Sequence, residues 1–201
     1  MFQVTKLVNR VLDILKSKGL LQYKGPSRNT ATQGAPLTHR ERIIDEIVKT
    51  ERDYVQHLEM LQSFQNEIQG AVPGDAIHDI FLNLNQLLDF QRRFLIRIEQ
   101  QNSLSEPDQN WGKLFSHYRD GFKVYEPFLA NQTRCNNAVM KEWKKLQRAA
   151  LPSELVGMVE TPAVLLGFLV KPFQRLSKYP LLLRVNSVLS LWHQVTLLIV
   201  R

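Results

Sequence analysis

Apolar residues recur with helical spacing over most of this chain. In the clearest stretch the steps between them are three, four, three, four and three, and the positions are Ile44, Ile47, Glu51, Tyr54, Leu58 and Leu61. This period places one stripe of side chains along one face of a helix over residues 38–69. Similar periods predict helices over 75–101 and 111–150, and a fourth that begins at Thr161-Pro162. Almost no strand pattern is present, so we predict an all-α, elongated multi-helix bundle.

Gly- and Pro-containing stretches divide the helical regions. Residues 24–37 have the composition of a linker, which places a domain boundary near residue 38. Proline is expected to bend the third region at Pro127 and the fourth at Pro172, Pro180 or both, because it lacks a backbone N–H donor. Residues 3–18 carry an apolar stripe that one short helix cannot bury alone.

Charge is unevenly distributed. The chain has 201 residues and a formal net charge of +7. Residues 1–40 contain seven basic residues against Asp13, a net +6, so the rest is near neutral. A nucleic-acid-binding domain would spread basic charge over its folded surface, so no nucleic-acid partner is expected. We interpret the leading segment as a solvated basic arm.

Composition and spacing exclude several kinds of site. The single cysteine, Cys135, cannot form an intramolecular disulfide, and we expect a buried structural thiol. The five histidines lack metal-ligand spacing, and no phosphate-binding or nucleophile motif is present, so neither a metal nor a cofactor is expected. Charged residues interrupt the N-terminal apolar positions, and no apolar run is long enough to predict a membrane span.

Glu51 breaks the apolar pattern of the first helix. It lies in the stripe between Ile47 and Tyr54, where an unpaired buried carboxylate would cost several kcal/mol, on the order of magnitude. Three interpretations are open: the stripe is locally exposed, Glu51 meets a partner, or Glu51 lies at the solvated edge of the seam. Positions that violate local rules are often functional.

The segment 171–184, KPFQRLSKYPLLLR, also combines polar and apolar positions. Gln174 and Lys178 are four residues apart and share a helix face, with Leu181 and Leu182 one turn further on. A polar pair beside an apolar patch is typical of a binding surface. The alternative is a proline-kinked core helix whose lysine extends to solvent.

Four segments follow one another along the chain: IIDEIVKTERDYVQHL (43–58), IFLNLNQLLDFQRRFL (80–95), VYEPFLANQ (124–132) and LVKPFQRLSKYPLLLR (169–184). In this order they resemble the motifs of the Dbl-homology family of Rho guanine-nucleotide exchange factors. The first resembles the family's first signature, ELxxTExxYVxxL, and the second its second-helix pattern. The third is similar to the central YxxYxxN segment, and the fourth to the third and most specific signature.

The resemblance also implies a domain order. VTKLVNRVLDIL (4–15) is similar to the end of the calponin-homology-like region that precedes the exchange domain in fungal polarity exchange factors. We therefore expect a remnant of that region at 1–22, a linker at 23–37, a Dbl-homology domain at 38–184 and a divergent tail at 185–201.

The family mechanism implies the partner and the site. Such a domain binds a Rho-family small GTPase, here expected to be the polarity-controlling type, and releases GDP without making or breaking a covalent bond. Glu51 matches the family's contact to switch 1, and Gln174 and Lys178 match contacts to switch 2. The expected GTPase-binding residues are Glu51, Gln174, Lys178, Leu181 and Leu182, with Glu51, Gln174 and Lys178 on one accessible face.

The C-terminal sequence departs from the family pattern. VNSVLSLWHQVTLLIVR (185–201) has no acidic residue and is rich in β-branched residues, where the family has a long polar helix. The domain is therefore expected to lack the end of its last helix. The alternative function is a truncated, non-catalytic fragment that binds a GTPase or acts as a scaffold. We expect a cytoplasmic protein, recruited to the cell cortex, with scaffold partners bound through flanking domains.

Overall fold

A computed structural model describes residues 39–185 of the chain, with side chains from 40 to 179. The predicted calponin-homology-like remnant, the whole linker and all of the divergent tail except Val185 lie outside the described residues. Within residues 39–185 the structure is helical and contains no strand, only an isolated bridge between Gln69 and Val72. The prediction of an all-α bundle is confirmed.

Nine α-helices and three short 3-10 segments follow one another over the described residues. The α-helices are α1 (His39–Glu67), α2 (Gly74–Phe81), α3 (Leu84–Ser103), α4 (Trp111–His117), α5 (Tyr125–Ala130), α6 (Gln132–Arg148), α7 (Ser153–Val156), α8 (Pro162–Leu169) and α9 (Lys171–Val185). The 3-10 segments are Glu106–Asp108, Arg119–Val124 and Gly157–Val159.

The apolar stripe of α1 is buried along its whole length, as its period predicts. At 29 residues α1 is the longest described helix, about 43 Å at 1.5 Å per residue. It packs mainly against α3, while α2 packs against α6 and α9 lies across α1, α5 and α8. The core between these helices is continuous and rich in aromatic rings.

Two predicted helices are interrupted. The region 75–101 is broken between α2 and α3 at Leu82, whose φ of 42° lies outside the helical region. The region 111–150 is broken around the 3-10 segment Arg119–Val124, so the predicted single helix becomes α4, α5 and α6. Pro127 causes no kink within a long helix, because it lies in the first turn of α5, where a helix needs no N–H donor.

The fourth helical region begins as predicted and then divides. Thr161 caps α8, its hydroxyl accepting a hydrogen bond from the Val164 backbone N–H, and Pro162 occupies the first turn. The chain turns at Val170, and Pro172 follows in the first turn of α9. The bend near Pro172 is therefore a break between two helices, whereas α9 continues through Pro180.

The 3-10 segment at 119–124 passes close to the aromatic core because it contains a glycine. An added Cβ on Gly121 would lie 2.4 Å from Cε2 of Phe90. The Phe90 ring cannot easily move, since it is 6% exposed and packs edge-on against the rings of Phe122 and Tyr125, with centroid distances of 5.1 and 6.4 Å.

We therefore predict that Gly121→Ala lowers the free energy of unfolding by about 1–3 kcal/mol through overpacking. The matched control is Gly167→Ala in α8, where an added Cβ meets no atom within 4 Å. That control is expected to gain up to about 1 kcal/mol from helix propensity. Urea unfolding of both variants gives the comparison. Equal effects of the two substitutions would show that the Phe90 contact is not limiting.

Candidate functional site

Glu51 is completely buried, at 0% exposure, on the face of α1 that meets α9. Its expected place on an accessible face with Gln174 and Lys178 is therefore wrong. The physical reason is that Glu51 forms an ion pair with a cationic side chain inside the bundle. A partner for Glu51 was one of the interpretations that the sequence left open.

That partner is Arg175 of α9. Its Nε and Nη2 both donate to Oε2 of Glu51, at 3.0 and 2.5 Å, and it is itself only 5% exposed. The remaining guanidinium nitrogen, Nη1, donates to the Thr50 hydroxyl at 2.8 Å. Arg175 therefore fastens α9 to two successive residues of α1.

Two further donors complete the shell of the Glu51 carboxylate. The Tyr179 hydroxyl lies 2.9 and 3.0 Å from its two oxygens, and Nε2 of Gln91 in α3 donates to Oε1. Since an ionised carboxylate only accepts, the Gln91 amide must present its nitrogen to Glu51 and its oxygen to the other side.

On that other side a second layer of hydroxyls continues the network. The Tyr125 hydroxyl of α5 lies 2.9 Å from Oε1 of Gln91 and 3.1 Å from the Tyr54 hydroxyl. A phenol has one proton, so Tyr125 donates to Gln91 and Tyr54 donates to Tyr125. In this hydrogen-bond network every donor is therefore directed toward Glu51, either directly or through a neighbouring side chain.

Burial and ion pairing shift the pKa values of Glu51 and Arg175 in opposite directions. Burial raises the pKa of the Glu51 carboxyl, against the lowering effect of Arg175 and the hydrogen bonds from Tyr179 and Gln91. Burial alone would lower the pKa of Arg175, but Tyr179 and Glu51 outweigh it and raise the pKa above its ordinary value. The guanidinium is therefore charged, and its charge is what favours an ionised Glu51.

Tyr179 also anchors α9 through its ring. The ring centroid lies 5.9, 5.7 and 5.4 Å from the centroids of Phe94, Phe115 and Phe122, and the Arg175 guanidinium lies over the ring, 4.8 Å from its centroid. Arg175 and Tyr179 are four residues apart, so together they define the buried face of α9.

Gln174 and Lys178 each precede one of these buried residues. Positions one residue earlier lie about 100° around the helix, so burial of Arg175 and Tyr179 sets the direction of Gln174 and Lys178. Gln174 is half-buried and Lys178 is exposed. Leu181 and Leu182 belong to the backbone of α9, but their side chains lie outside the described part of the chain.

The sequence analysis missed the partners of Glu51, although signals for them were present. Gln91 occupies an apolar position in the period of the second helical region, between Leu88 and Phe94. Arg175 and Tyr179 repeat the spacing of Gln174 and Lys178 one residue later. Periodicity shows that a polar residue faces the core, but it does not show which distant residue it meets.

The structure also describes the environment of the single cysteine. Cys135 is a buried free thiol whose pKa burial raises to about 12, which confirms a structural rather than a reactive cysteine. Among the described residues no group of three His, Cys, Asp or Glu side chains could hold a metal ion. No single helix in that part of the chain is long and apolar enough to cross a membrane. Ser153–Val159 and Pro162–Tyr179 reach the required length and composition only together, across a bend of 103°.

We predict that Glu51→Ala lowers the free energy of unfolding by about 3–5 kcal/mol, because it leaves the Arg175 charge buried without its partner. The double variant Glu51→Leu/Arg175→Met is expected to lower the free energy of unfolding much less than the sum of the effects of Glu51→Leu alone and Arg175→Met alone. The control is the exposed pair Arg52–Glu99, one residue along α1, for which the same cycle should give a coupling of about 0–1 kcal/mol. Additive effects at Glu51 and Arg175 would contradict the pairing.

We also predict a pH dependence for Arg175→Met. Without the cation, burial raises the pKa of Glu51 further, so the folded state holds a proton that the unfolded state has lost. The contribution of Glu51 to the stability of this variant is then fully present below the unfolded pKa, about 4.3, and is lost as the pH rises through the folded pKa. Urea midpoints across this range measure the fall. Glu51→Gln in the same background should abolish it, and a pH-independent Arg175→Met would show that Glu51 is not the titrating group.

The comparisons with known proteins agree with this architecture. The sequence profile of the RhoGEF domain family matches residues 43–185. The chain is 35% identical over 156 residues to the Rho guanine nucleotide exchange factor scd1 of Schizosaccharomyces pombe, and 34% identical over 189 residues to cell division control protein 24 of Saccharomyces cerevisiae. These alignments cover 77% and 90% of this chain but only 17% and 22% of the relatives.

Solved structures show the same fold. The DH domain of FARP2 aligns with a TM-score of 0.51 and 22% identity, covering 79% of this chain and 83% of that domain. A structure of the Vav1 exchange factor aligns with a TM-score of 0.63 and 20% identity, covering 80% of this chain and 45% of the other. The expected resemblance to Dbl-homology domains and to fungal polarity exchange factors is confirmed, and the chain belongs to the RhoGEF domain family.

Proposed function

We propose that this chain is a guanine-nucleotide exchange domain for a Rho-family GTPase of the polarity-controlling type. The relatives in fission and budding yeast support this assignment, since the first is named a Rho guanine nucleotide exchange factor and the second a cell division control protein. In this mechanism the domain binds the nucleotide-free GTPase selectively and thereby accelerates GDP release. No covalent bond is made or broken.

The observation that carries the proposal is the anchoring of α9 on α1. The Glu51–Arg175 pair and the Tyr179 ring fix the helix, so that Gln174 and Lys178 occupy its more accessible side. Gln174 and Lys178 are the proposed contacts to switch 2, and Leu181 and Leu182, one helical turn further on in the sequence, are proposed GTPase contacts as well. Because α9 is already fixed before the GTPase binds, binding does not incur the entropic cost of ordering this helix.

We assign Glu51 a positioning role in place of an exposed contact. Both of its oxygens are occupied by Arg175, Tyr179 and Gln91, and none of its surface is open to a partner in this state. Its effect on switch 1 is then exerted through the placement of α1 and α9. This differs from the direct contact expected from the family resemblance.

Nucleotide release tests the proposed surface. A Rho-family GTPase loaded with fluorescent GDP is mixed with the full chain and excess GTP, and the rate of fluorescence loss is measured. We expect Lys178→Ala to lower the rate at least tenfold with an unchanged urea midpoint, because Lys178 is exposed. The matched control is Lys113→Ala, an exposed lysine of α4, which should leave the rate unchanged.

A second candidate function is distinguished from nucleotide exchange by GTPase binding that does not accelerate GDP release. The departure from the family pattern at 185–201 supports this second candidate function, in which the domain holds a GTPase without exchanging its nucleotide. Such a domain would bind nucleotide-free GTPase in a titration and leave the rate of GDP release at its intrinsic value. Failure to bind any member of a panel of Rho-family GTPases would contradict both functions.

A further inference from the structure

Some exposed cations of the described bundle form an ion pair with a nearby carboxylate. Examples are Arg52 with Glu99, Arg92 with Glu59 and Arg93 with Asp89. Helix α6 is distinguished by its net charge: it carries five basic side chains against Glu142 alone, a net +4, in a chain that is near neutral beyond residue 40. Glu142 is buried and pairs with Lys145.

The other four cations form a stripe on the exposed face of α6. Arg134, Lys141, Lys144 and Arg148 are separated by seven, three and four residues, which places them within an arc of about 80° around the helix. All four side chains are exposed, and within the described part of the chain none of these side chains makes an ion pair or a hydrogen bond. The stripe extends about 21 Å along the helix.

Met140 borders this stripe and is 58% exposed, the largest exposure among the large apolar side chains of the described residues. The opposite side of α6 is buried against the core through Cys135, Ala138, Val139 and Leu146. The helix is therefore amphipathic in an unusual sense, since its outer face is cationic and carries an exposed apolar residue beside the charges.

Acidic residues on the neighbouring helices lie beyond ion-pair distance of the stripe. Asp75 and Asp79 lie on α2, which packs against α6, and Glu154 lies on α7 just after it, but none of them makes an ion pair with α6. Asp79 is near the start of α6, since its backbone carbonyl accepts from the Asn131 side chain. The half of the helix with Lys141, Lys144 and Arg148 extends away from that point.

Helix electrostatics explain only part of this arrangement. Cations in the last turn of a helix interact favourably with its dipole, which accounts for Lys145 and Arg148. The effect falls off within one turn, so it gives no reason for Arg134 and Lys141 to lie on the same line.

We propose that the outer face of α6, defined by Arg134, Lys141, Lys144 and Arg148 with Met140, docks on anionic phospholipid at a membrane surface. A straight row of cations on a convex helix fits a planar array of headgroups better than a single compact anion, which would require a concave site. Juxtaposed lysines and arginines attract anionic leaflets additively, and an adjacent apolar side chain can insert at the interface. The polar network that anchors α9 uses α1, α3, α5 and α9, so docking through α6 leaves that anchor untouched.

Vesicle binding of the full chain tests the proposal. We expect co-sedimentation with phosphatidylcholine vesicles that contain phosphatidylserine, little with pure phosphatidylcholine, and weakening as salt is raised. Lys141→Gln/Lys144→Gln should lower the partition coefficient roughly 25-fold, about fivefold for each charge. The control Lys113→Gln/Arg119→Gln removes two exposed cations elsewhere on the bundle and should change it much less. Both variants keep the basic residues of 1–40, so that segment contributes equally to each.

A fluorescent probe locates the contact. Met140→Cys can be labelled selectively with an environment-sensitive maleimide, because the native Cys135 is buried and its thiol pKa is about 12. The label is expected to shift to the blue on vesicles that contain phosphatidylserine. A label at Ile96→Cys, on α3 and 52% exposed, should not shift.

Two outcomes would overturn the proposal. In the first, the α6 variant and its control lose equal affinity, which would assign vesicle binding to other charges. In the second, the Met140→Cys label responds to a poly-glutamate peptide and not to vesicles, which would make the stripe a docking surface for an acidic protein segment.

Discussion

The buried charge of Glu51 is the constraint on which the arrangement of α1, α3, α5 and α9 depends. A carboxylate at 0% exposure is tolerable only when charge and hydrogen bonds replace its lost hydration. Arg175 supplies the charge, and Tyr179 and Gln91 supply the remaining donors. Each donor comes from α9 or α3, so satisfying one side chain of α1 fixes the placement of both neighbouring helices.

The main effect of a buried ion pair of this kind is to restrict how the two helices pack, and its net contribution to the free energy of unfolding is small. Replacing such a pair with apolar residues of similar volume is often neutral or stabilising, whereas removing one partner is strongly destabilising. An apolar contact between α1 and α9 would allow the helix to rotate or slide. The forked contact of Arg175 with Glu51 and Thr50 restricts both movements. We infer that the pair is retained because it sets the direction of Gln174 and Lys178 on the proposed partner surface.

Helical periodicity was sufficient to predict the bundle and the buried face of α1. Its breaks were harder to predict, since Leu82 is an ordinary helix-forming residue that adopts a positive φ, and Gly121 acts through its close approach to Phe90. The approach of Gly121 to Phe90 depends on tertiary packing, which a local pattern does not contain. For the site, the anomaly at Glu51 was visible in the pattern, but its partner is 124 residues away in the chain. The family resemblance then favoured an exposed contact where the structure has a buried pair.

The most direct test of this account is to separate a positioning role for Glu51 from a contact role. The isosteric variant Glu51→Gln removes the charge and keeps the shape. Amide hydrogen exchange of residues 171–179 and the affinity for nucleotide-free GTPase are then measured on the same protein. If Glu51 positions α9, protection of these amides and GTPase affinity should fall together. Retained protection of α9 with lost affinity would contradict the account and show that Glu51 contacts the GTPase directly.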